Sequence, residues 1–365
     1  MKVMFFITGI GYGDSIREYA IIKELLRREK DSEILVVGYN NSYKFFENKF
    51  NTTNIIGYNV PDYVFELRAY DFFKKNVLLP FSWYYNQLKL WDKINDFKPD
   101  LIVTDLEPIG SIMAKLTKKK LVCIFGADPE IIDSIKPNNK FLDLQKLYLK
   151  TIYNFKQNNR VVIPLLTGIR RKEENFEFIN PVVRNNPKEL PHKLKLMGKL
   201  RLNREPILIM LGGSNFGFSI AHELLNILNN FDEDFILFGY NYLYEKDNIT
   251  CYPFKENFLE YLKVCKGVIT LAGHSTLSEI LVYKKPALVF PIGQHIEQLI
   301  NATVLENRNL ALVKHINEVS PVILNKHISE FLNKTSEIED NVKKLNVKGD
   351  GAEDAVDILL EVNQS

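Results

Sequence analysis

Short apolar runs alternate with amphipathic stretches along most of the chain. VMFFIT (3–8) leads into SIREYAIIKELLRR (15–28), where Ile16, Tyr19, Ile22 and Leu26 recur at helical spacing, and then into EILVVGY (33–39). LIVTD (101–105), LVCIFG (121–126) and VVIP (161–164) read as further buried parallel strands, spaced widely enough for crossover helices. Over 180–206 the rhythm breaks: four prolines, many cations and little periodicity predict a linker or boundary. The alternation then restarts with strand PILIML (206–211), helix SIAHELLNIL (219–228), strand DFILFGY (234–240) and helix ENFLEYLKVC (256–265). Strand GVITL (267–271), helix TLSEILVY (276–283), strand PALVF (286–290) and helix EQLINATVLE (297–306) continue it, and GAEDAVDILLEV (351–362) is a last amphipathic helix. The pattern predicts an α/β protein of two doubly wound, Rossmann-like domains facing each other across a cleft.

Composition narrows the function classes. The chain has 365 residues, 46% hydrophobic and 25% charged, as in a soluble globular protein. A net charge of +2 gives no bulk case for nucleic acid as a partner. Three scattered cysteines form no CxxC pair, so no disulfide framework or zinc site is indicated and a reducing compartment fits. No apolar run reaches membrane-spanning length, and MKVMFFITGIG reads as a first strand rather than a signal peptide.

Each half opens with a strand, a Gly-rich turn and a helix: GIGYGDS (9–15) and GGSNFG (212–217). Such turns aim free N–H groups at anions beyond the carboxyl ends of strands, and equally they permit tight strand–helix packing. A dinucleotide fingerprint needs an acid at the end of the second strand, which instead ends in Gly38, Tyr39 and Asn40. Neither turn contains GK[ST], which excludes a Walker-A ATPase. Ser15-Ile16-Arg17-Glu18 has the form of a capping box, with Ser15 as the cap and Asp14 left at the mouth of the cleft. LAGHSTLSEI (271–280) places backbone N–H groups and the hydroxyls of Ser275 and Thr276 where a diphosphate would sit, with Glu279 one turn on for a ribose diol. Thr276-x-x-Glu279 also reads as a capping box. Gln294, His295, Glu297 and Gln298 crowd the next strand-to-helix junction and suit sugar hydroxyls, or form a solvated helix start.

GHSTLSEILVYKKPALVFPIGQHIEQLINA (273–302) resembles the donor-site signature of GT-B nucleotide-sugar glycosyltransferases, including the bacterial transferase that forms lipid II. LGGSNFG resembles the Gly-rich loop that opens that family's C-terminal domain, and INPVVR (179–184) its interdomain segment. GIGYGDSIRE resembles the GxGxGHxxR turn of a prokaryotic and archaeal branch, which PDLIVTDLEP (99–108) also resembles. The resemblance implies an acceptor-binding domain over 1–183, a donor domain over 184–345, and a C-terminal helix, 346–365, returning to the first domain. On the donor side it implies Gly212, Gly213 and Ser214 near the diphosphate, and Gly273, His274, Ser275 and Thr276 around the phosphates. It further implies Glu279 on the ribose, Glu297 and Gln298 on the donor sugar, and Phe254 against the base. On the acceptor side it implies Gly11, Gly13, Arg17, Asp105 and Asp128, with Asp14 or Glu107 as catalytic base.

The sequence departs from the pattern in two places. Leu271 stands where plant and animal members have a phosphate-binding His, as it is also missing from the lipid II enzyme, and Asp14 stands where the branch has His. The implied activity is transfer from a nucleotide-sugar, UDP-linked and inverting by its nearest motifs, to a lipid-linked or glycan acceptor in envelope polysaccharide or glycolipid synthesis. The nucleotide-sugar is the substrate; no metal and no cofactor is expected. A nucleotide-sugar hydrolase and a non-catalytic sugar-nucleotide binding protein are the alternatives. Residues 68–93 hold eight aromatics and five Lys or Arg against two Asp, a composition suited either to a membrane interface or to a core or helix pair. A cytoplasmic location, peripheral on the cytoplasmic face of the membrane, is expected.

Overall fold

A computed structural model describes all residues except 61–65, 156–157, 212–216, 241–242, 254, 256 and 317, and the backbone only of 218 and 219. The chain divides into two units: Met1–Pro61 with Arg68–Arg184 and Lys348–Ser365, and Asp62–Leu67 with Asn185–Val347.

The first unit is built on β1 (Lys2–Ile7), β2 (Glu33–Gly38), β3 (Asn51–Asn54), β4 (Leu101–Asp105), β5 (Lys120–Ile124), β6 (Arg160–Pro164), β7 (Arg171–Glu173) and β8 (Phe176–Ile179). They form one sheet in the order β3-β2-β1-β4-β5-β6-β8-β7, parallel except for the β7–β8 pair. β1 pairs with β2 on one side (Val3 opposite Ile34) and β4 on the other (Val3 opposite Leu101). Both its faces are covered, which is why five of its six residues are buried and apolar. The order reverses beside β1, so the crevice beyond the carboxyl ends of β1 and β4 is this unit's switch point.

The crossovers carry α1 (Gly13–Arg28), α2 (Asn40–Phe46), α3 (Ala69–Lys75), α4 (Leu79–Phe97), α5 (Pro108–Thr117), α6 (Pro129–Ser134) and α7 (Lys140–Tyr153). α5 and α6 share a start signal, an acid followed by proline: Glu107 accepts from the Ile109 N–H and Asp128 from the Glu130 N–H. The buried face of α1 is centred on Glu18, Ile21, Ile22 and Leu25, so Ile16, Tyr19 and Leu26 lie off its centre.

Residues 69–97 form a helix pair and not a core. α4 buries Asn86, Leu90 and Ile94, whereas Tyr70, Phe73, Phe81, Tyr84, Tyr85, Leu88 and Trp91 are exposed, Tyr70 and Phe81 at 74% each.

The second unit has β9 (Ile207–Met210), β10 (Phe235–Phe238), β11 (Tyr244–Lys246), β12 (Ile249–Tyr252), β13 (Gly267–Leu271), β14 (Ala287–Phe290) and β15 (Leu312–Val313), in the order β11-β12-β10-β9-β13-β14-β15. All its neighbours are parallel except β11 and β12. Its helices are α8 (Lys193–Leu200), α9 (Phe218–Leu225), α10 (Phe258–Val264), α11 (His274–Val282), α12 (Ile296–Asn307) and α13 (Pro321–Lys344). α8 lies inside the stretch expected to be linker, where Leu196 supplies a buried anchor despite the surrounding lysines.

After α13 the chain returns to the first unit as α14 (Gly351–Gln364). Ala355, Val356, Leu359 and Val362 of α14 enter the cluster that includes Val3, Phe5, Ile22, Leu25, Val103 and Val122. Among the described residues, no helix is long and apolar enough to cross a membrane.

Candidate functional site

In the first unit the glycine turn runs from β1 into α1. Gly9 is fixed by space: a Cβ there would stand 2.0 Å from the Tyr39 carbonyl oxygen. Gly11 is fixed by conformation, with φ +72°.

The expected capping box does not form. Tyr12, not Ser15, is the N-cap; Ser15 lies inside the helix with its Oγ buried, and Glu18 does not return to the cap. Arg17 and Glu18 instead point inward, into a charge cluster under the turn. Arg17 is bidentate on Asp105 at the end of β4, with Nε–Oδ2 2.9 Å and Nη2–Oδ1 2.7 Å. Its Nη2 also donates to Asp14 Oδ1 at 2.5 Å. Burial works against the Arg17 charge, but Asp105 and Asp14 more than offset it and keep the guanidinium protonated. Glu18 is fully buried beside Asp105, and burial followed by that neighbouring charge pushes its carboxyl well above the usual range.

Of the expected acceptor-side residues, Arg17 and Asp105 are thus sealed from solvent and committed to each other. Asp14 keeps 18% of its side chain exposed. Asp128 caps α6 and pairs with Arg171 at 3.5 Å.

Glu107 is 3% exposed, with Oε1 accepting from the Ile109 N–H at 3.3 Å and Oε2 buried without a hydrogen-bond partner. Its turn is tight: Leu106 has φ +52°, and the Thr104 hydroxyl donates to the Glu107 carbonyl at 2.6 Å. Burial pushes the Glu107 carboxyl up to about 7. A folded-state value above the ordinary 4.5 means its contribution to stability is full below about pH 4.5 and is lost as pH rises through about 7. Glu107→Gln keeps the cap and removes the titration. Its stability relative to the wild type should therefore rise by about 3 kcal/mol between pH 5 and pH 8. Urea melts at the two pH values check this, and parallel slopes for the two proteins would refute it.

In the second unit, α11 begins at the end of β13. Gly273 is its N-cap and, having no side chain, contributes no side-chain cap. Thr276 is inside the helix, so the alternative capping-box reading of Thr276 and Glu279 fails. The first turn, His274-Ser275-Thr276, therefore has no side-chain cap at its N-cap residue; Ser275 and Glu279 are buried, Glu279 at 3% exposure.

A Cβ on Gly273 would meet nothing within 4 Å, and its backbone (φ −73°, ψ 128°) suits any residue. The fold itself therefore does not require glycine at 273, in contrast to 9. Gly273→Ala should leave the melting temperature unchanged and weaken nucleotide binding about tenfold or more. Gly9→Ala should lower stability by several kcal/mol, roughly the upper end for a single substitution. Thermal melts and nucleotide titration read both; a destabilised Gly273→Ala would contradict the first.

At the next junction, Gln298 Oε1 accepts from the Ala272 N–H at 3.2 Å and the Ile292 N–H at 2.9 Å. Asn301 Nδ2 donates to the Ala272 carbonyl at 2.9 Å. Two N–H donors on one atom identify it as the amide oxygen. The Nε2 donors of Gln298 then face away from those strand ends, with no acceptor among the described residues. Glu297 lies in the first turn of α12, half-buried, and His295 is the N-cap, its imidazole lowered to about 4 by burial and therefore neutral.

The same turn holds a residue that sequence reasoning missed. Glu66 pairs with Gly293 as a parallel bridge, the Leu67 N–H donates to the Gly293 carbonyl at 2.9 Å, and Gln294 Nε2 donates to Glu66 Oε1. No periodicity marks a two-residue pairing between positions so far apart. Glu18 did leave a signal, an acid on the stripe that also holds Ile22 and Leu25. Gly212, Gly213, Ser214 and Phe254 lie outside the described residues.

The family described as Glycosyl transferase family 1 matches residues 1–334. An uncharacterized glycosyltransferase of Methanosarcina mazei is 25% identical, covering 94% of this chain and 93% of its own. The UDP-N-acetylglucosamine–N-acetylmuramyl-(pentapeptide) pyrophosphoryl-undecaprenol N-acetylglucosamine transferase of Thermosipho africanus is 24% identical over 69% of this chain and 68% of its own. In structure, a UDP-glucosyltransferase from Polygonum tinctorium superposes with TM-score 0.71 at 13% identity, covering 100% of this chain and 99% of that one. The two Rossmann-like units are those of the GT-B fold.

Proposed function

This chain belongs to glycosyl transferase family 1 and is a transferase, and from that premise we propose that it moves a sugar from a UDP-linked donor to an acceptor hydroxyl, with inversion at the anomeric carbon. The observation that carries the reading is the second unit's paired junctions. The N-cap of α11 is a glycine, which contributes no side-chain cap, and Gln298 is held through its amide oxygen by the Ala272 and Ile292 N–H groups, leaving its amide donors for a ligand. In this reading Gly273, His274, Ser275 and Thr276 hold the diphosphate, Glu279 takes the ribose, and Glu297 with Gln298 takes the donor sugar.

The acceptor oxygen attacks the anomeric carbon, the bond from that carbon to the phosphate oxygen breaks, and the nucleoside diphosphate leaves. The dipole and N–H groups of α11, not a metal ion, meet the charge that develops on it. Asp14 takes the acceptor's proton. It is preferred to Glu107 because a base must reach its proton, and Glu107 is sealed as the cap of α5 while Asp14 is partly exposed.

The acceptor is lipid-linked in this reading, and the protein meets the bilayer through α3 and α4. Support comes from the exposed aromatics of 70–91, flanked by Arg68, Lys74, Lys75, Lys89 and Lys93.

A panel of nucleotide-sugars, with and without membrane extract, tests the proposal. Nucleotide release that requires the extract is expected. Release without any acceptor would make the protein a hydrolase, and tight binding with no release would make it a binding protein.

A further inference from the structure

The cluster beneath the glycine turn holds three carboxyl groups around one guanidinium: Asp14, Asp105 and Glu18 around Arg17. Two of the three are claimed by Arg17 at 2.5–2.9 Å. The third, Glu18, has both oxygens buried with no hydrogen-bond partner on either. A buried carboxylate with no partner is costly, so burial, and then the charge of Asp105, favour the neutral acid form of Glu18. With Glu18 neutral, the four groups sum to one negative charge, and the only one of them with appreciable exposure is Asp14.

Geometry adds to the charge argument. Asp14 sits one helical turn before Arg17, on the first turn of α1. A planar guanidinium reaches both Asp14 and Asp105, because its N–H groups diverge at fixed angles; an ammonium is a point charge on a flexible stem. Asp105 is anchored in turn by strand β4, so the side chain on the turn is referenced to the sheet through one residue.

We propose that Arg17 is the positioning residue of the acceptor-side turn, clamping Asp14 to Asp105. This rests on the assignment of Asp14 as base. Arg17 itself does not touch the substrate; it acts through Asp14.

The test uses the full chain and the nucleotide-sugar that the panel shows to be turned over. Arg17→Gln and Arg17→Lys should each lower kcat about 10²-fold or more while nucleotide Kd stays within about twofold. Lysine keeps the charge and loses the fork, so a purely electrostatic role would be rescued by it. Folded Arg17→Lys with near-normal kcat overturns the clamp. Asp105→Asn is read the same way should both Arg17 variants fail to fold. Glu18→Gln should flatten the loss of stability as pH rises above the ordinary carboxylate range; an unchanged slope overturns the neutral Glu18. Asp14→Asn is measured in parallel. An active Asp14→Asn refutes the base assignment, whereas an inactive Asp14→Asn beside an active Arg17→Gln refutes the clamp alone.

Discussion

Asp14→Asn is expected to lower turnover by about 10³-fold, inside the range for loss of a general base, with donor affinity unchanged. The amide keeps the shape of the side chain and can still accept from Arg17 through its oxygen, and Arg17 keeps both bonds to Asp105. What is lost is the capacity to take a proton. The residues proposed to hold the donor all belong to the second unit, so nucleotide titration checks that the donor side is unaltered, and a thermal melt checks folding. Turnover within a few-fold of wild type would move the base away from this turn.

Glu279→Ala is expected to weaken nucleotide binding by tens- to about a hundred-fold, because two hydrogen bonds from a ribose diol to a carboxylate are each worth roughly 1.5–3 kcal/mol before compensation. The residue lies one turn into α11 and is nearly buried, so the change also leaves a small void. Glu279→Gln separates the two effects, since it fills the space and keeps an acceptor. Isothermal titration with UDP reads both variants. Unchanged affinity in Glu279→Ala would remove the ribose role and leave the diphosphate turn standing alone.

Much of the fold was legible because most strands are buried on both faces and therefore uniformly apolar. β1, β4, β5, β13 and β14 announce themselves, and α11, α12 and α14 follow from period and junction. The elements that escaped are those whose signal is not periodic. β3, NTTN, is polar and pairs only with β2, at the edge of the sheet. α8 is a lysine-rich turn anchored by one leucine.

The site divides in the same way. Glycine turns and helix starts are local and were readable. The capping box was misread because Ser15 and Glu18 obey its spacing, while the tertiary structure draws both inward: Arg17 needs Asp105, and Asp105 lies eighty-eight positions away. Spacing along a helix cannot report a partner on another strand. Glu66 escaped for the same reason, since its pairing with Gly293 is long-range.

The return of α14 has a consequence for how the protein is made. The hydrophobic face that α1 covers in the first unit is completed by residues 355–362, which are synthesised after residues 185–347 of the second unit. The domain begun first is therefore finished last. While the ribosome builds residues 185–347, the nascent first domain waits with Val3, Ile22, Leu25 and Val122 short of their final cover. The second unit, which borrows only residues 62–67 from earlier in the chain, has its own sequence complete before α14 emerges. Vectorial synthesis thus lets the second unit complete its own sequence before the first unit receives its last helix.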